Sequence, residues 1–339
     1  MITTPPPPII SIIMSNYNQG HFIRQAIDSV LSQKTTFPWQ LIITDDNSTK
    51  DNSKDIIKEY QKQHPDRILC IFSDKNTGYL SNILRAKSIA KTTYFTLLDA
   101  DDYWTDCDYL QKAVDYLNEN LDVVAYTQNV LCIKENGDKF PFIGKKKESK
   151  KYNIEDYFTD RMPITQTTGQ VFRNVIFQNA IPEIMLKSVG TIHERSFEGD
   201  VDRLIMHLKF GDIYFANEYS GVYRILSTGI WNKLSKAEAA MISAQAYIDY
   251  NEYFDYVYQH FFINKAYISL KESIQAIETS SMLDYASFEE YLKSVVRECI
   301  NKNTYIKPTQ NEAMSKKYQF YFKLYNSLHR KLKRKGYVS

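Results

Sequence analysis

Tyr94-Phe95-Thr96-Leu97-Leu98 runs straight into Asp99-Ala100-Asp101-Asp102-Tyr103-Trp104. An apolar run of strand length ending on acids reads as a buried strand that delivers carboxylates to a sheet edge. In an extended turn the outer acids of an Asp-x-Asp point the same way, because side chains alternate. Carboxylates so paired suit a hard cation, Mg²⁺ or Mn²⁺, that also takes oxygens from a diphosphate. A strand-to-helix turn with an N-cap acid has the same appearance, so the neighbouring segments decide.

Towards the N-terminus the pattern repeats. Apolar runs at 9–14, 40–44 and 68–72 end on Ser15-Asn16-Tyr17-Asn18, Asp45-Asp46-Asn47-Ser48 and Ser73-Asp74-Lys75-Asn76. Between them, Phe22, Ala26, Ile27, Val30 and Leu31, then Ile56, Ile57 and Tyr60, then Ile83, Leu84 and Ile89 recur at helical spacing. Short buried strands alternating with helices predict an α/β fold, a mostly parallel central sheet with helices on both faces. Ligands bind beyond the carboxyl ends of such strands. Acids crowded there repel one another, which a divalent cation relieves.

Towards the C-terminus, 134–163 is charged and loop-like, with Lys145-Lys146-Lys147 and Lys150-Lys151, and reads as a solvated loop or a mobile lid. Strand character returns at 165–173. Helical spacing spans 200–208 with Gly211 placed to end it, and 213–224 reads as one or two short strands. From Ser235 strand signals stop, and 236–262, 265–278, 288–300 and 312–335 read as helices. The predicted organisation is a domain over 1–232, with halves 1–130 and 131–232, followed by an all-helical region over 233–339.

The 339 residues carry 42 Lys and Arg against 40 Asp and Glu, a net charge of +2, with 43% hydrophobic and 14% aromatic content. That composition excludes global disorder, and the near-neutral balance argues against a nucleic-acid coat. No apolar run approaches the roughly 18 residues of a membrane span. Met1 to Pro8 holds neither a basic stretch nor an apolar core, so no secretory signal and a cytoplasmic location are expected. Cys70, Cys107, Cys132 and Cys299 stand far apart, as reduced thiols do, without zinc or disulfide spacing.

Several segments together resemble glycosyltransferase family 2, which has the GT-A fold, a Rossmann-like arrangement. Residues 9–18 look like that family's opening strand, and 26–33 like its first helix. Leu41-Ile42-Ile43-Thr44-Asp45-Asp46-Asn47-Ser48 resembles its DD-x-S strand end, and Asn76-Thr77-Gly78 the Asn-x-Gly before its third helix. Leu98 to Asp102 resembles its metal-binding strand end. Asp102 to Asp106, with Leu110-Gln111-Lys112 and Val114-Asp115, is similar to a bacterial polysaccharide-type subgroup. The likeness is strong over 1–130, resumes at 165–231 and is absent beyond.

The resemblance implies an inverting, metal-dependent transferase moving a hexosyl or N-acetylhexosaminyl group from a nucleotide-sugar, a UDP-sugar by family frequency, to a growing surface glycan. The donor and a lipid-linked or oligosaccharide acceptor are the implied partners. Ser15 and Tyr17 match the site where the first strand end meets the base, with Asn76 beside the nucleotide-sugar. Asp46 matches an acid that accepts from the base ring, a job that suits an acceptor-only carboxylate. Asp99 matches a ribose- or diphosphate-side acid and a further candidate metal ligand, Asp101 matches the ligand of Mn²⁺ or Mg²⁺ that Asp102 would assist, and Ala100 lies between Asp99 and Asp101 beside the nucleotide-sugar. In Glu198-Gly199-Asp200-Val201-Asp202, Asp200 matches the general base, with Asp202 and Glu198 behind it; acids at a helix start also favour the helix dipole. Thr167 and Thr168 match an acceptor-side strand, and His193 and Trp231 are further acceptor candidates. Arg224 is a diphosphate candidate, or pairs with a structural acid. Many members have a His two residues after that Arg; Leu226 stands here and brings no such contact.

Lys316-Lys317, Lys323, Arg330-Lys331 and Lys333-Arg334-Lys335 accompany Tyr318, Tyr321, Phe322, Tyr325, Leu328 and Leu332 at helical spacing. Such a helix lies on an anionic membrane surface, each basic residue contributing about 1 kcal/mol, or packs on its own domain. The first reading makes the protein peripheral on the cytoplasmic membrane face. The C-terminal helices are also where a homo-oligomer would form, and no nucleic-acid motif accompanies the basic run. The competing functions are a nucleotidyltransferase acting on sugar phosphates, which usually has a Gly-rich basic loop where Ser15 to Gly20 stand, and a glycan-binding relative without catalysis. A phospho-acceptor receiver domain is excluded by length.

Overall fold

A computed structural model describes residues 6–144, 147–227, 229 and 231–277. Cys299, Lys145-Lys146, the helices expected at 288–300 and 312–335, and the basic tail lie outside the described residues.

The alternating pattern becomes β1 (Ile10–Asn16), α1 (Ile23–Leu31), β2 (Trp39–Asp45), α2 (Ser53–Gln63), β3 (Ile68–Phe72), α3 (Tyr79–Ile89) and β4 (Tyr94–Leu97). The strands pair in parallel in the order β3-β2-β1-β4. Ile10, Ile12, Ile13, Leu41, Ile42 and Ile43 are wholly buried, as a sheet covered on both faces requires. α1 turns Ile23, Ala26, Ile27 and Val30 onto it; each large apolar side chain so buried contributes roughly 1.5–3 kcal/mol. Asn16 pairs with Asp45 and Asp45 with Phe72, so the three strand ends are level and their polar residues share one edge.

Beyond Asp102 come β5 (Tyr103–Trp104), α4 (Tyr109–Glu119), β6 (Val123–Lys134), β7 (Lys139–Pro141), β8 (Lys150–Tyr152) and α5 (Ile154–Phe158). A 3₁₀ turn (Thr167–Gly169), β9 (Gln170–Arg173), α6 (Glu183–Ser188), α7 (Asp200–His207) and β10 (Asp212–Ile225) follow. The ten-stranded sheet runs β3-β2-β1-β4-β9-β6-β10-β5, with β7 on β6 and β8 on β10. β9 is antiparallel to β4 and β6, whereas β6 and β10 are parallel.

Three sequence expectations change in the sheet region. β6 was not foreseen: Gln128 and Asn129 interrupt its apolar run, yet both are buried, with Gln128 Nε2 donating to Tyr126 Oη at 3.0 Å and Asn129 Oδ1 accepting from Val130 and Ile143 N–H at 2.9 Å. The expected loop 134–163 holds two short strands and a helix that opens on an Asn153 capping box. Of the strand expected over 165–173 only Gln170–Arg173 is strand, Thr167–Gly169 being a 3₁₀ turn, and of the one or two strands expected over 213–224 there is one, β10, broken in register. Gly221 is where β10 crosses β5, and a Cβ there would stand 2.4 Å from the Tyr103 carbonyl oxygen. Gly221→Ala should cost about 1–3 kcal/mol of stability, read from the denaturant midpoint.

Gly190–Ser196 and the described residues beyond Ser227 form a second compact unit. The helix expected over 236–262 ends at Tyr253 as α8 (Lys236–Tyr253), and its last residues join the helix expected over 265–278 in α9 (Gln259–Ile277), because Asp255 (φ 51°) and Tyr256 (φ 62°) turn left-handed between the two. Ser235 and Glu238 form a capping box, Ser273 Oγ donates to the Ala237 carbonyl at 2.7 Å, and Phe262 packs beside Tyr250 and Phe254. No described helix is long and apolar enough to cross a membrane.

His207, at the end of α7, is fully buried, its ring 4.3 Å from that of Phe172. Nδ1 lies 2.6 Å from the Arg203 carbonyl oxygen, an acceptor, so Nδ1 carries the proton. Burial pushes its pKa down to about 3. An unfolded histidine titrates near 6.5, so this contribution to stability is complete above that pH and is lost as pH falls towards 3. The slope is about 1.4 kcal/mol per pH unit. Between pH 6.5 and 4.5 the wild type should lose about 2 kcal/mol more than His207→Met, measured by urea unfolding at the two pH values.

Candidate active site

The edge formed by the ends of β1, β2 and β4 carries most of the expected residues. Asn16, fully buried, donates from Nδ2 to Asp45 Oδ2 at 2.6 Å and to Ser48 and Ser53 Oγ at 3.1 Å. Asp45 also accepts from the Ser48 N–H at 2.9 Å. Ser15 Oγ accepts from Asn82 Nδ2 at 3.0 Å, while Tyr17 is 44% exposed and presents its ring outward.

Asp46 is buried and engaged. Its carboxylate accepts from Thr77 N–H at 3.0 Å, Thr77 Oγ1 at 2.9 Å, Gly78 N–H at 2.9 Å and Arg85 Nη2 at 3.2 Å. Gly78 has φ 88°, a conformation that favours glycine, and its amide thereby points back at the acid. With these bonds Asp46 anchors the Thr77–Gly78 turn. Asn76 is exposed, its Oδ1 accepting from Gly78 N–H at 3.2 Å.

The acids after β4 divide by burial. Asp99 and Asp101 are half-buried; Asp102 is wholly buried. Asp102 Oδ1 accepts from Arg224 N–H and Oδ2 from Thr168 Oγ1, both at 2.8 Å. Its expected place as a second metal ligand gives way to this one: it ties the acid turn to β10 and to the Thr167–Gly169 turn. Thr168 Oγ1 is spent on it, and Thr167 Oγ1 accepts from Arg203. Both threonines are buried, and in the structure these hydroxyls bond to Asp102 and Arg203.

Burial raises the pKa of Asp99, and Tyr79 Oη donates to its Oδ1 at 3.2 Å. Burial, then the Asp99 charge, raises Asp101 to about 6. The same causes, with the Asp101 charge ahead of Asp99, hold Asp102 well up. Among the described residues no three His, Cys, Asp or Glu side chains converge as a protein-only metal cage. Two half-buried carboxylates whose charges oppose each other nevertheless suit a hard cation that takes its other oxygens from a ligand and water.

Arg224 braces this turn from β10. Its guanidinium lies over Phe22 and Tyr103, 4.8 and 4.6 Å from the ring centroids, and donates to the Asp101 carbonyl and Gln25 Oε1. Tyr223, one residue earlier, has its hydroxyl pKa pushed up by burial and then by Asp102, Asp99, Asp200 and Asp101.

α7 opens on Gly199 and presents Asp200 half-buried at its first position. Asp200 Oδ1 accepts from Val201 N–H at 2.9 Å, and burial raises its pKa against the lowering charge of Arg203. Asp202 points into the interior with Oδ2 unpartnered, its pKa raised by burial to about 7. Lys87 from α3 is buried too, its ammonium 4.1 Å from the centroid of the Phe177 ring and its pKa lowered to about 7, mainly by burial. His193 and Trp231 belong to the second unit, where His193 Nδ1 lies 2.8 Å from Asp249 Oδ1 and Trp231 is half exposed.

Sequence reading missed Tyr79, Lys87, Arg203 and Tyr223. The available signal for Arg203 was its position three residues after Asp200, on one helix face.

The family model "Glycosyl transferase family 2" matches residues 11–179. A Mycobacterium tuberculosis protein, "Uncharacterized protein Rv1520", is 32% identical over 226 residues, 66% of this chain and 60% of its own length. The "Putative teichuronic acid biosynthesis glycosyltransferase TuaG" of Bacillus subtilis is 32% identical over 135 residues, 39% of this chain and 52% of its own. The chain therefore spans less than two thirds of either relative. The structure of S. aureus TarS 1-349 in complex with UDP-GlcNAc superposes with a TM-score of 0.57 at 12% identity, covering 86% of this chain and 81% of that one, a likeness of fold.

Proposed function

We propose that this chain, a glycosyltransferase that belongs to glycosyl transferase family 2, moves a sugar from a UDP-sugar to a hydroxyl of a growing surface glycan in one inverting displacement. What carries the reading is the sorting of five acids by burial: Asp99, Asp101 and Asp200 are half-buried, while Asp102 and Asp202 are turned inward.

In this reading Asp200 takes the acceptor hydroxyl proton as that oxygen bonds to the anomeric carbon. The bond from that carbon to the diphosphate oxygen breaks, and the nucleoside diphosphate leaves with the electron pair. Asp202, being buried, does not meet an acceptor. Asp101 and Asp99 would hold Mn²⁺ or Mg²⁺, which when bound supplies charge stabilisation to the leaving diphosphate. Asp102 and Arg224 fix the turn on which both acids stand. Ser15, Tyr17 and Asn76 face the nucleotide, and Asp46 acts there through the Thr77–Gly78 turn that it anchors. Arg224 keeps further N–H groups beyond its two hydrogen bonds and serves as a diphosphate contact.

The UDP donor is supported by the likeness to the UDP-GlcNAc-bound TarS fold, and the surface-glycan acceptor by the name that TuaG bears. Such an acceptor, lipid-linked or free, suits a protein peripheral on the cytoplasmic membrane face. Thermal unfolding with UDP-GlcNAc, GDP-mannose and dTDP-glucose, each with Mn²⁺, tests the donor. A ligand at 100 times its Kd stabilises by about 2.7 kcal/mol. A shift of several degrees with the UDP-sugar alone is expected. A shift confined to GDP-mannose or dTDP-glucose, or none at all, would overturn the UDP assignment.

A further inference from the structure

Arg203 is 3% exposed, at the centre of α7. A guanidinium buried so deeply is costly unless its charge is used, and it cannot shed that charge. Among the described residues its side-chain hydrogen bond goes to the neutral hydroxyl of Thr167, and Nε donates to nothing. No carboxylate accepts from it directly, so an ordinary structural ion pair does not account for its burial.

We infer that Arg203 is a positioning residue of the transfer, pinning the Thr167 turn and holding one permanent positive charge three residues along α7 from Asp200. The inference rests on the reading of Asp200 as base. The groups that face Arg203 are Tyr79 and Lys87 from α3, Asp99 after β4, Thr167, and Asp200, Asp202 and His207 from its own helix. Those that face Asp200 are Arg203, Asp99, Asp202 and, from β10, Tyr223. Arg203 is the leading charge that opposes the burial-driven rise of both Asp99 and Asp200. Lys87, by contrast, titrates near neutrality and is itself disfavoured by Arg203. Of the two buried cations, Lys87 therefore follows the pH with Asp202, and Arg203 supplies a field that does not change.

The first readout needs no ligand. In protein carrying ¹³C at aspartate Cγ, the Asp200 resonance is assigned by its disappearance in Asp200→Asn and followed against pH. In Arg203→Gln, which keeps a donor for Thr167 but no charge, its midpoint should rise by at least one pH unit. Arg203→Lys and Thr167→Val should leave it within a few tenths of the wild type. Arg203→Met is a second neutral variant in case the Gln variant does not fold. The acidic limb of transfer with UDP-GlcNAc and Mn²⁺ should move up with the resonance, whereas a merely structural role would lower the rate at every pH without moving the limb. An Asp200 midpoint unchanged in a folded neutral variant overturns the inference. Persistence of transfer in Asp200→Asn would instead overturn the base assignment and leave the field at Asp200 as measured.

Discussion

Asp101→Asn is expected to transfer sugar at least 10²-fold more slowly than the wild type at saturating Mn²⁺, in line with the 10²–10³-fold cost of removing one group that stabilises developing charge. The amide keeps the volume of the side chain and removes its charge. The Asp101 carbonyl, which Arg224 holds, is untouched. Stability should not fall. Asp101 is raised to about 6 by burial and by Asp99, and it raises Asp102 in turn, so neutralising it relieves repulsion in the metal-free protein. The variant should unfold at the same temperature or higher without ligand and lose the extra stabilisation that Mn²⁺ gives with nucleotide-sugar. Loss of rate together with gain of stability is not the signature of a structural acid. Unimpaired transfer would remove the cation from Asp101.

How far the sequence carried the site depends on what kind of property each residue contributes. Strand ends were legible because period and apolarity fix β1, β2 and β4, and the acids that follow share an edge by topology alone. Pairing was not legible. Asp102, Thr168 and Thr167 are of the types that bind ligands, and only the fold reveals that the Asp102 carboxylate meets Arg224 and Thr168 while Arg203 meets Thr167. Asp46 is a similar case, an acceptor that the Thr77–Gly78 turn engages. β6 was hidden because Gln128 and Asn129 break the apolar run, although Gln128 Nε2 donates to Tyr126 and Asn129 Oδ1 accepts from Val130 and Ile143 N–H. Arg203 was hidden for the opposite reason: a charge in a helix ordinarily reads as solvated, and its burial follows from the packing of α7 against the sheet.

Asp200→Asn should bind nucleotide-sugar as the wild type does and lose transfer by about 10²–10⁴-fold, the usual contribution of a positioned general base. The two effects separate because Asp200 stands at the start of α7, on an element apart from the acids after β4 that would carry the donor's cation. Its raised pKa suits the role, since a carboxyl lifted from its ordinary range is the better proton acceptor once ionised. The variant still accepts from Val201 N–H through the amide oxygen, so the helix start persists. Asp202→Asn discriminates the alternatives. Asp202 is buried with an unpartnered oxygen and a pKa near 7, and its neutralisation should change stability with pH more than it changes the chemical step. If Asp200→Asn transfers sugar at near the wild-type rate, Glu198, half-buried two residues before Asp200, becomes the acid to test. Stereochemistry then decides between direct and double displacement. A proton acceptor alone gives inversion at the anomeric carbon, whereas a carboxylate that attacked that carbon would leave the configuration retained, and the ¹H coupling of the first-formed product tells the two apart.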